Sequence, residues 1–456
     1  MTLGISERLF IYGQLIPVAR ERWQCIFTGV GIRGQLNMHG ISRISAIILS
    51  LFLVSTCDEP KKDDQPNWGS LDFTRMVALG NSLTAGVSDA ALYEAAQLNS
   101  FPLLIARKAG VGDAFEQPIM SGNGFSWSDD AGRFSINPIS FSFSFLDPGQ
   151  EANRDLDRPY NNLGIPMLTA GQLYTATTSA EAQNNHFVDK ILRSQGRIPI
   201  EEALALDPTL ITLWIGNNDV LGAASLGLAS SAQPYTPADE FATHFDSILT
   251  LLTDGTEAPI FLANVVDLTT VPYFSTLPTS VVDTLGEKHY LYGVCESGVR
   301  QLTDNDLLLY WALPTYFIAQ AAASHGSFPV MSTALNDTVV LDSTERAEIQ
   351  ALIADYNTIV ALKAAADDQI NLVDTYNLYQ DLAIAGYQLG TGIYTVDLLT
   401  FDDQGAFVLN LANTLFSIDG LHPNRFGYAA IADAFIAAMN AAGGAEIPPL
   451  EIEDLN

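Results

Sequence analysis

Met76-Val77-Ala78-Leu79-Gly80-Asn81-Ser82-Leu83-Thr84-Ala85-Gly86 passes from an unbroken apolar run into a Gly-Asn-Ser turn. An apolar run ended by turn residues reads as a strand buried on both faces, the kind that parallel sheets use. The serine past its end is then delivered to the edge where such sheets carry their sites. Residues 75–79 have three counterparts, at 209–215, 259–266 and 370–374, each a continuous apolar run bounded by turn residues. Helical patterns lie between and after them, notably at 343–366 and 425–442. Strands alternating with helices predict a three-layer α/β/α sandwich around a mostly parallel, flavodoxin-like sheet with right-handed crossovers.

Two stretches, at about 120–150 and 273–340, interrupt the alternation and read as insertions. In the first, Ser140-Phe141-Ser142-Phe143-Ser144-Phe145 has a strict period of two that puts the phenylalanines on one face of a strand. That strand either covers core or forms an aromatic wall beside the site. The second contains Trp311, Tyr316 and Phe317, in an element packed on the core or in a substrate cap.

The first residues stand outside this pattern. Met38-His39-Gly40-Ile41-Ser42-Arg43 leads into an apolar run from Ile44 to Val54, followed by Ser55-Thr56-Cys57. A short positive region, a short apolar segment and small residues make an export signal peptide. The run is well below the roughly 20 residues of a membrane-spanning helix. Leu53-Val54-Ser55-Thr56-Cys57 resembles a bacterial lipobox, which implies a lipidated Cys57 and an exported, membrane-anchored protein of the cell envelope, periplasmic or surface-exposed. The expected organisation is upstream residues and signal at 1–56 with Met38 as the true start, a lipidated tether at 57–70, the folded domain at 71–443 and a C-terminal tail at 444–456.

Without residues 1–56 the chain keeps 16 basic and 50 acidic side chains, a net charge near −34. A surface of that sign repels phosphate backbones and excludes nucleic acid as a partner. Cys25 and Cys57 fall in or at the end of the leader, so Cys295 stands alone as a buried thiol, with no disulfide and no Cys-rich metal site. Asn153-Arg154-Asp155-Leu156-Asp157 lacks the glycine and distal glutamate of a calcium loop and reads as a solvated turn. No metal and no cofactor is expected.

A nucleophilic serine needs a base, and five histidines follow the leader: His186, His244, His289, His325 and His422. Only His422 has a carboxylate three residues before it, in Asp419-Gly420-Leu421-His422-Pro423. With Gly420 permitting a tight turn, Asp419 reaches the ring Nδ1 and leaves Nε2 free to act. Pro423 is expected to start the following helix. A third element, Gly216-Asn217-Asn218-Asp219, ends the strand at 209–215 and offers a side-chain amide to a developing oxyanion. The loop from Gly80 to Gly86 has no following lysine for phosphate binding, and Gly-x-Ser-x-Gly is absent from the chain.

In this order, Gly80-Asn81-Ser82-Leu83, Gly216-Asn217-Asn218-Asp219 and Asp419-Gly420-Leu421-His422 resemble the blocks of the GDSL or SGNH hydrolases, over about residues 73–442. The resemblance implies Ser82 as nucleophile, His422 as its base, Asp419 as the orienting acid, and an oxyanion hole made by Ser82 N–H, the Asn218 amide and a backbone N–H from a second block. Tyr160-Asn161-Asn162-Leu163-Gly164-Ile165-Pro166-Met167 resembles that block, with Met167 where the family has its last glycine, so either Met167 or Gly164 supplies the donor. The activity implied is ester hydrolysis through an acyl-enzyme, on a small ester, a lipid or an acylated glycan. Two alternatives are carbohydrate O-deacetylation by the same mechanism, and a non-catalytic surface-binding lipoprotein on the same scaffold.

Overall fold

The structure is a computed structural model and describes residues 66–137, 142–193, 195–228, 234–401 and 407–456. Met38, the export signal, Cys57, the tether up to residue 65, Ser140 and Phe141 lie outside the described residues. Five strands form the central sheet: β1 (Met76–Gly80), β2 (Asn162–Gly164), β3 (Leu210–Trp214), β4 (Ile260–Ala263) and β5 (Ile370–Val373). They run in the order β5-β4-β3-β1-β2, and every neighbouring pair is parallel. All residues of β1, β3 and β4 are buried, which is why these strands are unbroken apolar runs rather than alternating ones.

Helices cover the sheet: α1 (Ser82–Ala85), α2 (Phe101–Lys108), α3 (Asn218–Ala224), α4 (Ala238–Gly255), α5 (Ser343–Ala366) and α6 (Arg425–Gly443). In one layer α2 packs on α6, with Phe101 stacked on Phe435 at 4.6 Å and edge-on to Trp214 of β3 at 5.8 Å. In the other α4 packs on α5, with Phe241 stacked on Tyr356 at 3.8 Å. The α5 helix begins at a capping box, in which Asp342 accepts from the N–H groups of Thr344 and Glu345, and Glu345 accepts from that of Asp342. The three-layer α/β/α sandwich expected from the alternation is the one observed.

Three local features differ from expectation. Strand β2 is the fifth strand and lies inside the stretch read only as an oxyanion block; three residues are too few to show a period. Helix α6 starts at Arg425 rather than at Pro423, because Asn424 caps it by accepting from the N–H groups of Phe426 and Gly427. Pro423 instead bridges to Phe416 in extended backbone. Residues 444–456 pack back on the domain: Ile447 and Leu450 are buried, Leu450 N–H donates to Asp433, and Asn456 N–H donates to Asn99.

The insertions are built of short antiparallel pairs. Phe134–Ile136 pairs with Phe143–Phe145 in the first, and Tyr292–Cys295 pairs with Gly298–Gln301 in the second. Burial pushes the Cys295 thiol up to about 11, so it is an unreactive core group.

Gly164 at the end of β2 permits a close backbone approach at the fold's working edge. A Cβ there would stand 2.3 Å from the backbone nitrogen of Ala85 and 2.7 Å from the carbonyl carbon of Thr84, both in α1. Backbone cannot swing aside as a side-chain tip can, so Gly164→Ala forces α1 off the sheet. The expected cost is about 1–3 kcal/mol, as for other overpacked sites. A thermal melt of Gly164→Ala that coincides with wild type would show that α1 is not held this closely.

Candidate active site

Strands β1, β2 and β3 end side by side, with Gly80 paired to both Gly164 and Trp214. This is where the strand order reverses, the crevice at which open α/β sheets hold ligands. The segments leaving the three strands carry Ser82, Met167 and Asn218. Asn81 caps α1 by accepting from Leu83 N–H, which leaves Ser82 as the first residue of the helix.

His422 arrives from 340 residues away, and its Nε2 lies 3.1 Å from Ser82 Oγ. Its Nδ1 lies 2.8 Å from Asp419 Oδ2. A carboxylate can only accept, so Nδ1 carries the ring proton and Nε2 presents a lone pair to the serine hydroxyl. Gly420 makes the turn between them at φ +72°, and its carbonyl accepts from Tyr273 N–H at 2.7 Å. None of the other histidines touches a serine hydroxyl among the described residues. His186 meets the Ser126 carbonyl, His244 the Tyr174 hydroxyl, His289 the Asp283 carboxylate and His325 the Ala321 carbonyl.

Asp419 is held from several sides. Its Oδ1 accepts from the N–H groups of Leu421 and His422 and from the Ser417 hydroxyl, and its Oδ2 accepts from Ala90 N–H as well as from the histidine. Burial alone would raise its pKa, but the charge of His422 and these hydrogen bonds hold it below the usual carboxylate value. The sequence did not single out the far side of this clamp. Asp89 accepts from Ile418 N–H and from the Tyr93 hydroxyl, and its own N–H donates to Ser417. Asp89 and Ala90 both take positive φ, at +50° and +54°, and this turns the Ala90 N–H toward Asp419. Burial, reinforced by the charge of Asp419, raises the Asp89 carboxyl.

The two candidates for the second-block donor differ in what their N–H groups already do. Gly164 N–H donates to the Asn162 side chain at 3.0 Å. Met167 N–H and Ser82 N–H have no hydrogen-bond partner among the described residues. Met167 takes φ +65°, the left-handed conformation that a glycine would adopt without strain. Asn218 donates one amide N–H to the Leu168 carbonyl at 2.9 Å, which leaves the second. Asp219 completes this clamp on the Met167 loop, accepting from Ala170 N–H and the Thr236 hydroxyl, each at 2.9 Å.

Ser82, Asp419, His422, Asn218 and Met167 all line one cavity of about 430 Å³. Both insertions reach it. Trp127 and Phe134 come from the first and Trp311 from the second, and Trp311 meets Phe134, Phe143 and Trp127 at 5.7, 5.1 and 6.4 Å. The serine-phenylalanine strand therefore backs the wall rather than forming it. Tyr316 donates its hydroxyl to the Ser280 carbonyl in the core, and neither it nor Phe317 lines the cavity. Of seven non-glycine residues with positive φ among those described, Ala90, Met167, Gln183 and Asn184 line this cavity. Such strain gathers where the surroundings hold a functional geometry. Away from the cavity, Asp283, Glu287 and His289 have metal-ligand spacing, but Asp283 is already engaged by His289 and by two backbone N–H groups.

Asp219 is 2% exposed, and burial pushes its carboxyl up to about 6 despite two donors. Because this lies above the unfolded value of 3.8, the fold favours the protonated form. Its stabilising contribution is complete below about pH 4 and is lost as pH rises through about 6. Thermal melts of wild type and Asp219→Asn between pH 4 and 7.5 should diverge across that window, with the variant lacking the decline; parallel curves would show that Asp219 ionises normally.

A sequence model of the GDSL-like lipase/acylhydrolase family matches residues 76–435, well over half of the chain. No curated protein matches the sequence. Among solved structures, an alpha/beta hydrolase enzyme from the metagenome of Lake Arreo, Spain, is similar at 14% identity and a TM-score of 0.33, over 82% of this chain and 98% of that one. A family 3 carbohydrate esterase of Clostridium thermocellum is similar at 16% identity and a TM-score of 0.28, over 81% of this chain and 98% of that one.

Proposed function

The chain belongs to the GDSL-like lipase/acylhydrolase family, whose members are ester hydrolases, and we propose that it works through Ser82, His422 and Asp419 by way of an acyl-enzyme. The observation that carries this reading is the hydrogen-bonded line from Ser82 Oγ through His422 to Asp419, opening on the cavity. His422 Nε2 takes the serine proton as Oγ attacks the ester carbonyl carbon. The negative charge that develops on the carbonyl oxygen is met by the N–H groups of Ser82 and Met167 and by the free N–H of the Asn218 amide. Asp419 keeps the ring in its working tautomer and stabilises the imidazolium, which then gives its proton to the departing alcohol. Water enters by the same route, with His422 again as base, and releases the acid.

The unpartnered N–H of Met167 supports it over Gly164 as the second-block donor. Its side chain does not interfere with that role, since a backbone donor needs only the right φ. The left-handed conformation costs a non-glycine residue about 1–2 kcal/mol. Export and anchoring through a lipidated Cys57 complete the reading, supported by the residues from Ile44 to Cys57. Cys57→Ser should move the expressed protein from the membrane to the soluble fraction on fractionation, and an unchanged distribution counts against a lipid anchor.

Fluorophosphonate labelling and p-nitrophenyl ester hydrolysis test the mechanism. Ser82→Ala should abolish labelling and lower kcat by about 10⁴-fold or more. Asn218→Ala should lower kcat by about 10²–10³-fold with a smaller change in KM, because its N–H acts on the transition state. A Ser82→Ala protein that hydrolyses esters at the wild-type rate sinks the serine mechanism.

A further inference from the structure

A methionine thioether takes up an oxygen atom wherever an oxidant reaches it, so burial decides which methionines are open to that chemistry. Met76, Met120 and Met439 are buried in the core. Among the described residues two others stand in the open, Met331 at 61% exposure and Met167 at 41%. Met331 belongs to the second insertion and does not line the Ser82 cavity, whereas Met167 lines it. Cys295 does not compete for an oxidant, since its thiol is buried and held protonated.

The exposure of Met167 is built into the backbone. Its neighbours are tied down on both sides: the Pro166 carbonyl accepts from the Asn185 amide at 2.7 Å, and the Leu168 carbonyl from the Asn218 amide at 2.9 Å. Between these ties Met167 takes its left-handed φ of +65°, with its N–H unbonded among the described residues.

Oxidation couples the side chain to that N–H. A thioether sulfur is a weak acceptor, but a sulfoxide is polar and its oxygen accepts strongly. The sulfur of any methionine stands three carbons from its own backbone nitrogen. A sulfoxide oxygen can therefore turn back and accept the N–H of the same residue in a seven-membered ring. The donor is then occupied before the ester carbonyl arrives.

We infer that Met167 is an oxidative modification site for hydroperoxides, and that its sulfoxide lowers the hydrolytic rate reversibly. This rests on the serine hydrolase reading above and on the oxyanion role given there to the Met167 N–H. The sulfur lone pair attacks one peroxide oxygen, and the O–O bond breaks as the S–O bond forms. The sulfur is oxidised and hydrogen peroxide is reduced to water, which carries away both protons.

The test treats the full chain with hydrogen peroxide and follows p-nitrophenyl acetate hydrolysis together with the peptide masses. Wild type, Met331→Leu, Met167→Leu and Met167→Gly are each compared with their own untreated rate. Wild type should gain one oxygen at Met167 as kcat falls about tenfold, less than the 10²–10³-fold of removing an oxyanion donor outright. A methionine sulfoxide reductase should restore the rate. Met331→Leu should lose activity as wild type does, while both Met167 variants keep theirs. The inference is overturned if Met167 stays unmodified, if kcat is unchanged once it is oxidised, or if the Met167 variants are inactivated like wild type. In each of those cases fluorophosphonate labelling of Ser82 in the untreated protein keeps the hydrolase reading. Absence of labelling and of all ester hydrolysis before treatment overturns both.

Discussion

The site depends on the parallel pairing of three strand ends, in which Gly80 stands level with both Gly164 and Trp214. Parallel neighbours all point their carboxyl ends the same way, so the segments that follow them emerge at one edge. Within a few residues of that edge come the Ser82 hydroxyl, the Met167 N–H and the Asn218 amide. The close approach of α1 to Gly164 sets how near Ser82 stands to the loop that carries Met167. Glycine at two of these ends, Gly80 and Gly164, thus follows from backbone meeting backbone.

A second constraint holds Asp419 and His422 against that edge. Asp419 is buried, and an ionised carboxylate out of water is tolerated only when its lone pairs are taken up. Here five donors do so, two from its own turn, two side chains and the N–H of Ala90, which follows α1. The same groups that neutralise the carboxylate also tie the His422 turn to the segment behind the serine. Asp89 adds a second tie between these regions, at the cost of a raised carboxyl beside a like charge.

The insertions wall the cavity. Trp127 and Trp311 are far apart in the chain and meet only because each insertion folds over the same edge of the sheet. Phe143 and Phe145 back this corner from behind Phe134 and Trp311, through contacts of 5.1–5.4 Å. Backbone at positive φ, at Ala90, Met167, Gln183 and Asn184, lines the same cavity.

Ser82, Asn218, Asp419 and His422 were legible because each sits in a short turn whose residue types are demanded by local chemistry. Strands β1, β3 and β4 and helices α5 and α6 were legible for a similar reason, since full burial leaves an unbroken apolar run and amphipathic packing leaves a period. Strand β2 was not, because three residues carry no period. Nor was it legible that the Gly164 N–H is bonded while the Met167 N–H is free, because a free N–H is defined by what its neighbours leave unbonded. Asp89 gives no local signal at all: its partners Ser417 and Ile418 are more than 320 residues away. Layer architecture and the candidate reactive side chains can be read from the order of residues, because periodicity and turn chemistry are local properties. Which groups meet, which donors stay free and what walls the cavity emerge only on folding, because they depend on contacts between segments that the chain order leaves far apart.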